Sequence, residues 1–335
     1  MAILTTQTIE YESAASAVAF FAMTDAGAHT VYTTTNKPWS QSTGYEPVIA
    51  PYGLATGGAI TPAAALGTNN VDVAALTAMM PAVSGASATT GLLTVSTALN
   101  TVCTRGSTTN VNIINSITIT SAGAVAVVAG TATTSFSETR GAAGGPPFIA
   151  VGSIEIGQVR FTATAAAVVA SSEIYQVVGT HQERFDYPVY NTDYINGKIT
   201  FATALPLSHT GSVTKLVYAR VATPVFAVVS NSRDWVPAET TNSVSSESYY
   251  DGVIGSASSS LGQASFTAAL SDGTTDGIIS KVGQNLLFRF KPSSNGSAYQ
   301  LTQGILGISR TFGVKSSPVG TFSVSPQQAT VSFSS

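Results

Sequence analysis

The chain has 335 residues and a formal net charge of −3, and 44% of its residues are hydrophobic while only 9% are charged. This hydrophobic content excludes a disordered chain, and the length is sufficient for two or three domains with well-buried cores. The slightly acidic balance excludes a basic surface that holds nucleic acid phosphates, and the single cysteine, Cys103, excludes a disulfide framework or a cysteine-ligated zinc cluster.

The charged fraction is far below the roughly 25% of an ordinary soluble domain. Because net charge keeps proteins apart in solution, we expect much of this surface to be buried between subunits. Ser/Thr-rich secreted β-proteins share the composition, so that class stays open. No apolar run reaches the roughly 18 residues of a membrane span, and residues 13–23 follow two glutamates rather than a basic segment. The sequence therefore predicts a protein that is made and used without export or membrane insertion.

The first half of the chain mixes a few regular elements with a segment of low complexity. A strand is expected at about 5–13, and residues 13–23 fit a short helix or a buried strand. Residues 54–145 are dominated by Ala, Thr, Ser and Gly. Inside this segment, residues 70–80 predict a helix capped by an asparagine and stopped by Pro81.

Clear strands follow the Gly- and Pro-rich break at 140–148. In residues 151–164 the apolar positions change phase at Gly157, which predicts a β-bulge there. We place the last boundary at residue 222. The predicted organisation is a β-rich N-terminal region, 1–221, with an Ala/Thr-rich insertion at about 54–145, and a C-terminal β domain, 222–335.

The C-terminal domain alternates apolar and polar residues, which is typical of antiparallel strands. Phe266 and Phe288 mark two such strands. Between them, residues 276–281 predict a short helix with Thr275 as its cap, and its apolar residues at 278, 279 and 282 are expected to face the sheet. The fold class is therefore mainly β, with an antiparallel β-sandwich or rolled sheet and one short flanking helix.

The chain carries no constellation of catalytic or metal-ligating residues. The three histidines, His29, His181 and His209, are far apart in the sequence, and no metal-binding or nucleophile motif is present. The sequence therefore predicts no enzyme, no cofactor and no metal site. Charged and aromatic residues concentrate at 183–194, which favours a subunit contact through Tyr187 and Tyr190 over a ligand or sugar patch.

A charged side chain also interrupts the last strands. Arg310 falls on the apolar face that Leu306, Ile308 and Phe312 define. We expect it to point inward and to find a carboxylate or carbonyl partner across a subunit boundary. The alternative is a bulge that turns it to solvent.

The order of these elements resembles the tail tube (major tail) proteins of long-tailed bacteriophages, most strongly over residues 226–335. A strand, an acidic turn, a short helix and a strand precede a Gly-rich loop and the last strands, and "SPVGTFSVS" at 317–325 is similar to the corner before the final strand in that family. The resemblance implies a tube-forming subunit whose sheets join those of its neighbours around a lumen.

The partners that the resemblance implies are copies of the chain itself and other tail proteins. Six copies would form a ring, or three copies a ring of pseudo-sixfold symmetry if the N-terminal region contains a second tube-like domain. The rings would stack into a hollow tube through which DNA passes without specific binding. The expected location is the virion tail, after assembly in the host cytoplasm.

Two other functions fit the sequence. One is a different β-rich virion component, such as a capsid decoration or head–tail joining protein. The other is a carbohydrate-binding or adhesin-like module, for which the aromatic residues Trp39, Tyr187, Tyr190 and Trp235 would be responsible.

Overall fold

The computed structural model describes residues 6–65, 67–186, 188–210, 213, 215–249 and 252–334. Over these residues the chain is mainly β, as predicted, and the strands of every sheet pair antiparallel. Its helical segments there include two single 3-10 turns, Ser171–Glu173 and Ile279–Lys281.

Eighteen strands precede residue 222 and nine follow it. The first group is β1 (Thr8–Ala17), β2 (Phe21–Ala22), β3 (Thr24–Asp25), β4 (Val31–Thr33), β5 (Val48–Pro51), β6 (Gly53–Gly57), β7 (Ile60–Pro62), β8 (Asn70–Val73), β9 (Leu76–Met79), β10 (Leu92–Val95), β11 (Ala98–Val102), β12 (Ile113–Ile119), β13 (Val125–Ala129), β14 (Ile154–Phe161), β15 (Ile174–Tyr175), β16 (Tyr190–Asp193), β17 (Lys198–Phe201) and β18 (Val217–Arg220). The second group is β19 (Ala222–Val228), β20 (Ser232–Val236), β21 (Thr240–Tyr249), β22 (Gly252–Leu261), β23 (Ala264–Ala269), β24 (Asn285–Lys291), β25 (Tyr299–Thr311), β26 (Val319–Pro326) and β27 (Val331–Phe333). Both counts refer to the described residues.

The largest sheet has eight strands, in the order β19-β1-β24-β25-β26-β23-β20, with β27 paired to β25 beside this row. β18 belongs to another sheet and β19 to this one, so the chain changes sheets at the predicted boundary, residue 222. β1 comes from the other end of the sequence, however, and lies between β19 and β24. The C-terminal sheet therefore includes a strand of the predicted N-terminal region, and the two-domain division stays a prediction.

One face of this sheet carries an aromatic core. Phe322 on β26 is fully buried and stacks on Phe266 of β23, with ring centroids 4.7 Å apart. Trp235 on β20 stacks on Phe290 of β24 at 5.8 Å, although three strands separate β20 from β24 in the sheet order. The sheet must curl over its own core to allow this contact. This curl agrees with the rolled sheet that the sequence predicts. The remaining apolar members of this core include Ile9, Tyr11, Ala264, Ala268, Leu270, Ile278, Leu286, Phe288, Leu306 and Val324.

The opposite face is covered in part by the N-terminal region. Leu287 and Leu301 are fully buried there and pack with Ile195, which lies between β16 and β17. Val331 and Phe333 of β27 pack against the same cluster. The last strand is therefore structural as far as Phe333, as predicted.

A buried carboxylate strengthens this contact between the two parts of the chain. Glu12 on β1 is almost completely buried and accepts hydrogen bonds from the hydroxyls of Ser40 and Ser42, the latter at 2.9 Å. The backbone N–H of Leu287 donates to it at 3.2 Å. Because a buried charge is costly unless it is hydrogen-bonded, these donors fix the loop around residue 40 against the sheet.

The N-terminal region forms small sheets around two cores. Their strand orders are β10-β9-β6, β11-β8-β7, β13-β12-β14-β15, β16-β17-β4-β3 and β2-β18-β5. The Ala/Thr-rich segment at 54–145 contributes β6 to β13, so it is folded throughout its strands rather than an irregular insertion. The principal side chains of the larger core include Leu54, Ile60, Val71, Val73, Met80, Ile117, Ile154, Ile156 and Phe161.

The helix predicted at residues 70–80 is wrong. This segment forms β8 and β9, joined by a short turn. Leu76, Ala78 and Met80 are all buried, at a spacing of two residues. In an alanine-rich segment the few larger apolar residues can fit both a helical and a strand period. Pairing with other strands then decides between helix and strand.

The bulge predicted at Gly157 is confirmed. β12 pairs Ile117 with Gly157 but the next residue, Thr118, with Glu155, so Ile156 has no partner in the register. The extra residue lets side chains on both sides of the phase change reach the core, since Ile154, Ile156, Val159 and Phe161 are all fully buried.

The flanking helix of the C-terminal domain is shorter than predicted. It consists of the single turn Ile279–Lys281. Ile278 is buried and Ile279 packs against the aromatic core, as expected, but Val282 is exposed. Thr275 does not cap the turn, because its hydroxyl donates to the carboxylate of Asp272 instead.

Candidate assembly surfaces

The most prominent surface feature is a long hairpin made of β21 and β22. The two strands pair over their full length, from Thr240 opposite Leu261 to Tyr249 opposite Gly252. They form a two-stranded sheet of their own and pair with no other strand of the described chain. Each strand of ten residues spans about 33 Å at the usual rise. The hairpin connects β20 to β23, so it projects from one edge region of the largest sheet.

Hydroxyl groups rather than apolar side chains join the two strands. Ser243 contacts Ser258 and Ser245 contacts Ser256, each with 2.7 Å between the hydroxyl oxygens. A third rung pairs Thr241 with Ser260 at 3.0 Å. Every hairpin side chain whose exposure the structure describes is exposed, including Val244, which is 78% exposed.

This hairpin lacks the usual source of stability for such an element. A two-stranded ribbon in water is marginally stable unless a further strand or a hydrophobic face supports it. Within the described chain neither is present, because the hairpin faces are exposed on both sides. A surface of another molecule can supply that support, which makes the hairpin a candidate contact.

The hairpin was not predicted, because the stretch is rich in Ser and Thr and has few apolar residues to mark strands. One signal was available. The sequence contains Asp-Gly at 251–252, a dipeptide that favours tight hairpin turns when strand-forming residues flank it.

The free edge of β19 is a second candidate surface. β19 pairs with β1 on one side and with no strand on the other, within the described residues. Val225 and Val228 on this strand are 46% and 56% exposed. Natural edge strands are usually protected from pairing with other molecules by charges, bulges or proline. β19 has no charged residue, and Pro224 is its one protecting residue. An edge with so little protection can continue into the sheet of a neighbouring molecule.

Arg310 does not point inward as predicted. It lies on β25 opposite Gly320 in a register without a bulge, and it is exposed. The reason is that β25 runs beyond its core, so that Leu306 is buried while Phe312 is 59% exposed. The Arg310 guanidinium donates to the backbone carbonyl of Gly273 at 2.6 Å. It thus has a carbonyl partner within the chain, and its role as a subunit contact stays a prediction.

Of the two tyrosines proposed as subunit contacts, the structure describes only Tyr190. Tyr190, at the start of β16, is 38% exposed and its ring meets Phe201 edge to face, with centroids 5.7 Å apart. Partial burial raises the pKa of the Tyr190 hydroxyl. Tyr187 lies outside the described residues. The structure therefore leaves Tyr190 as a partly exposed side chain that a partner could cover.

The three histidines lie in separate environments. His29 contacts Asp25 at 2.6 Å, His181 lies beside Arg160, and His209 contacts the backbone carbonyl of Ser153 at 2.9 Å. Among the described residues no three His, Cys, Asp or Glu side chains are grouped to hold a metal ion. The single cysteine, Cys103, is buried, and burial raises the pKa of its thiol to about 12.

Comparison with known proteins does not assign the chain to a family. No protein-family model matches the chain, and no curated protein matches its sequence. In the part of the chain that the structure describes, no helix is long and apolar enough to span a membrane.

Proposed function

We propose that the protein is a structural subunit that assembles with copies of itself, and specifically a tail tube subunit of a long-tailed bacteriophage. The observation that carries this proposal is the exposed β21–β22 hairpin, which has no supporting surface within the described chain. The resemblance of residues 226–335 to tail tube proteins supplies the specific class of assembly.

The two candidate surfaces suit two different contacts. The free edge of β19 would join the largest sheet to that of the next subunit, and such a head-to-tail contact closes into a ring when its rotation permits. The hairpin, at about 33 Å, is long enough to reach a subunit in an adjacent ring. Rings that stack through these hairpins form a hollow tube.

The sheets favour six chains in each ring over three. Apart from β1, the described residues before 222 form sheets of at most four strands, and none repeats the eight-stranded sheet. A ring of six chains, each with one tube-like domain, therefore fits this chain better than a ring of three chains with two such domains each. The N-terminal region would lie outside the tube or between rings.

The charge of the chain suits a conduit. A basic lumen would bind phosphates strongly and hold the DNA. With a net charge of −3, the tube would let DNA pass without specific binding. The protein would be located in the virion tail, in contact with other tail proteins.

Cysteine labelling tests whether assembly covers the hairpin. In the variant Val244→Cys the new thiol lies at an exposed position, whereas the native Cys103 is buried and unreactive. We expect a maleimide reagent to label the introduced thiol rapidly in dilute, unassembled protein and many times more slowly after assembly.

The control is Leu99→Cys, which places a thiol at a 64% exposed position on β11 in the N-terminal region. Because this position lies on neither proposed contact surface, assembly should slow its labelling much less than that of the Val244→Cys variant. Equal labelling of the Val244→Cys variant in both states would show that the hairpin is not an assembly contact.

A further inference from the structure

A cavity of about 700 Å³ lies in the N-terminal region, away from both assembly surfaces. Its walls come from β14, β15 and the segments 179–184 and 203–208, and Lys215 also lines it. The cavity combines charged side chains with apolar ones, which is typical of a site for a small molecule. His181, the break at 140–148 and the segment 183–194 all contribute to the wall, but their sequence did not predict a shared cavity.

The three carboxylates that line the cavity are already satisfied by the protein. Arg160 donates to both oxygens of Glu138, at 2.5 and 2.9 Å. Arg140 forms an ion pair with Glu155. Glu183 accepts from the Ser208 hydroxyl and from the Glu155 backbone N–H, the latter at 3.0 Å. None of these acids therefore needs a ligand cation.

Lys215 is not satisfied in the same way. Its side chain is 2% exposed, and within the described residues its ammonium group makes no hydrogen bond or ion pair. Burial lowers the pKa of this ammonium, while the negative charge of Glu183 opposes that effect. The ammonium nitrogen is open to the cavity rather than enclosed by protein, so an acceptor inside the cavity can pair with it.

His181 offers a second donor on the same wall. It is 8% exposed, and Arg160 approaches its Nδ1 at 3.4 Å. Because a guanidinium only donates, Nδ1 acts as the acceptor and the ring proton lies on Nε2. Burial, with the positive charge of Arg160, lowers the pKa of His181, so the ring is neutral at pH 7. The Nε2–H group has no acceptor among the described residues.

We propose that this cavity binds a small monocarboxylic acid with an uncharged, ring-sized body. The ligand carboxylate would accept hydrogen bonds from the Lys215 ammonium and the His181 Nε2–H. Its body would lie against Pro146, Leu205 and Tyr175, which also line the cavity. A doubly charged phosphate fits less well, because the arginines that line the cavity are already paired with acids and the remaining lining cation, Lys215, already lies near the Glu183 carboxylate. This inference is independent of the proposed assembly.

Calorimetric titration of the full chain tests the proposal. Glucuronate and cyclohexanecarboxylate are the carboxylate probes, one with a hydroxylated body and one with an apolar body, and glucose and inorganic phosphate are the controls. We expect at least one carboxylate probe to bind and neither control to bind as tightly. The variant Lys215→Met should weaken that binding by about tenfold or more, because it removes a charged hydrogen bond.

A matched variant shows whether the effect is specific to Lys215. Arg184 lines the same cavity, but its guanidinium is paired with Asp186 at 3.1 Å. Arg184→Gln should therefore change the affinity less than Lys215→Met, and thermal unfolding checks that both variants are folded. If neither carboxylate probe binds, if phosphate binds as tightly, or if folded Lys215→Met binds as well as the parent, the proposal is wrong.

Discussion

Excision of the β21–β22 hairpin is expected to prevent the stacking of rings into tubes, while leaving the fold of the subunit and the ring contact through β19 intact. In this variant a short Gly-Ser turn replaces residues 240–261 and joins β20 to β23. These two strands already pair with each other, so the turn closes a regular hairpin of the largest sheet. The excised side chains whose burial the structure describes are all exposed, so no core contact is lost.

Two measurements check this prediction together. The thermal unfolding temperature of the excised variant should equal that of the parent subunit under dilute conditions. At concentrations where the parent forms tubes, sedimentation velocity should show single rings and free subunits but no stacked assemblies. Stacked tubes formed by a folded, excised variant would show that the hairpin is dispensable for the contacts between rings.

The second large effect concerns stability. Phe322→Ala should lower the free energy of unfolding by about 3–5 kcal/mol, the range for removing a buried aromatic ring. Phe322 is fully buried, stacks on Phe266 at 4.7 Å and pairs in register with Ile308. The substitution therefore leaves a cavity at the centre of the curled sheet, which the neighbouring strands cannot fill without moving.

Phe312 provides the matched control, because it is the same residue type in the same sheet region but is 59% exposed. Phe312→Ala should change the free energy of unfolding by less than about 1 kcal/mol. Chemical denaturation of both variants measures the difference. Equal losses in the two variants would mean that Phe322 is not part of a continuous core.

The C-terminal strands could be predicted because their periodicity is unambiguous. In β23 buried and partly buried residues alternate strictly, and Phe266 lies on the buried face. In β24 the pattern places Leu286 and Phe288 in the same core. Bulky apolar residues at every second position leave no helical alternative.

The helix at residues 70–80 could not be predicted correctly for the opposite reason. Alanine is tolerated in both helices and buried strands, so only a few larger side chains distinguish the two periods. Val73, Leu76 and Met80 fit a helical spacing, but in the structure Val73 ends β8, Leu76 begins β9 and Met80 follows β9, and all three are buried. Tertiary pairing decided the structure of this segment.

Other features depend on contacts between distant segments. β1 lies between β19 and β24, and nothing in its local sequence specifies partners at the other end of the chain. The exposure of Arg310 depends on where the core ends along β25. The free ammonium of Lys215 is recognised only when its neighbours are placed around it. Most of the apolar C-terminal strands could therefore be predicted from the sequence, but the β21–β22 hairpin, β8, β9 and the proposed binding cavity could not.

The central claim is that copies of this chain form stacked rings, and electron microscopy of the purified protein at high concentration tests it most directly. The proposal predicts rings of sixfold symmetry, stacked along a common axis into hollow tubes. A protein that remains monomeric at high concentration, with no rings or tubes in the images, would contradict it.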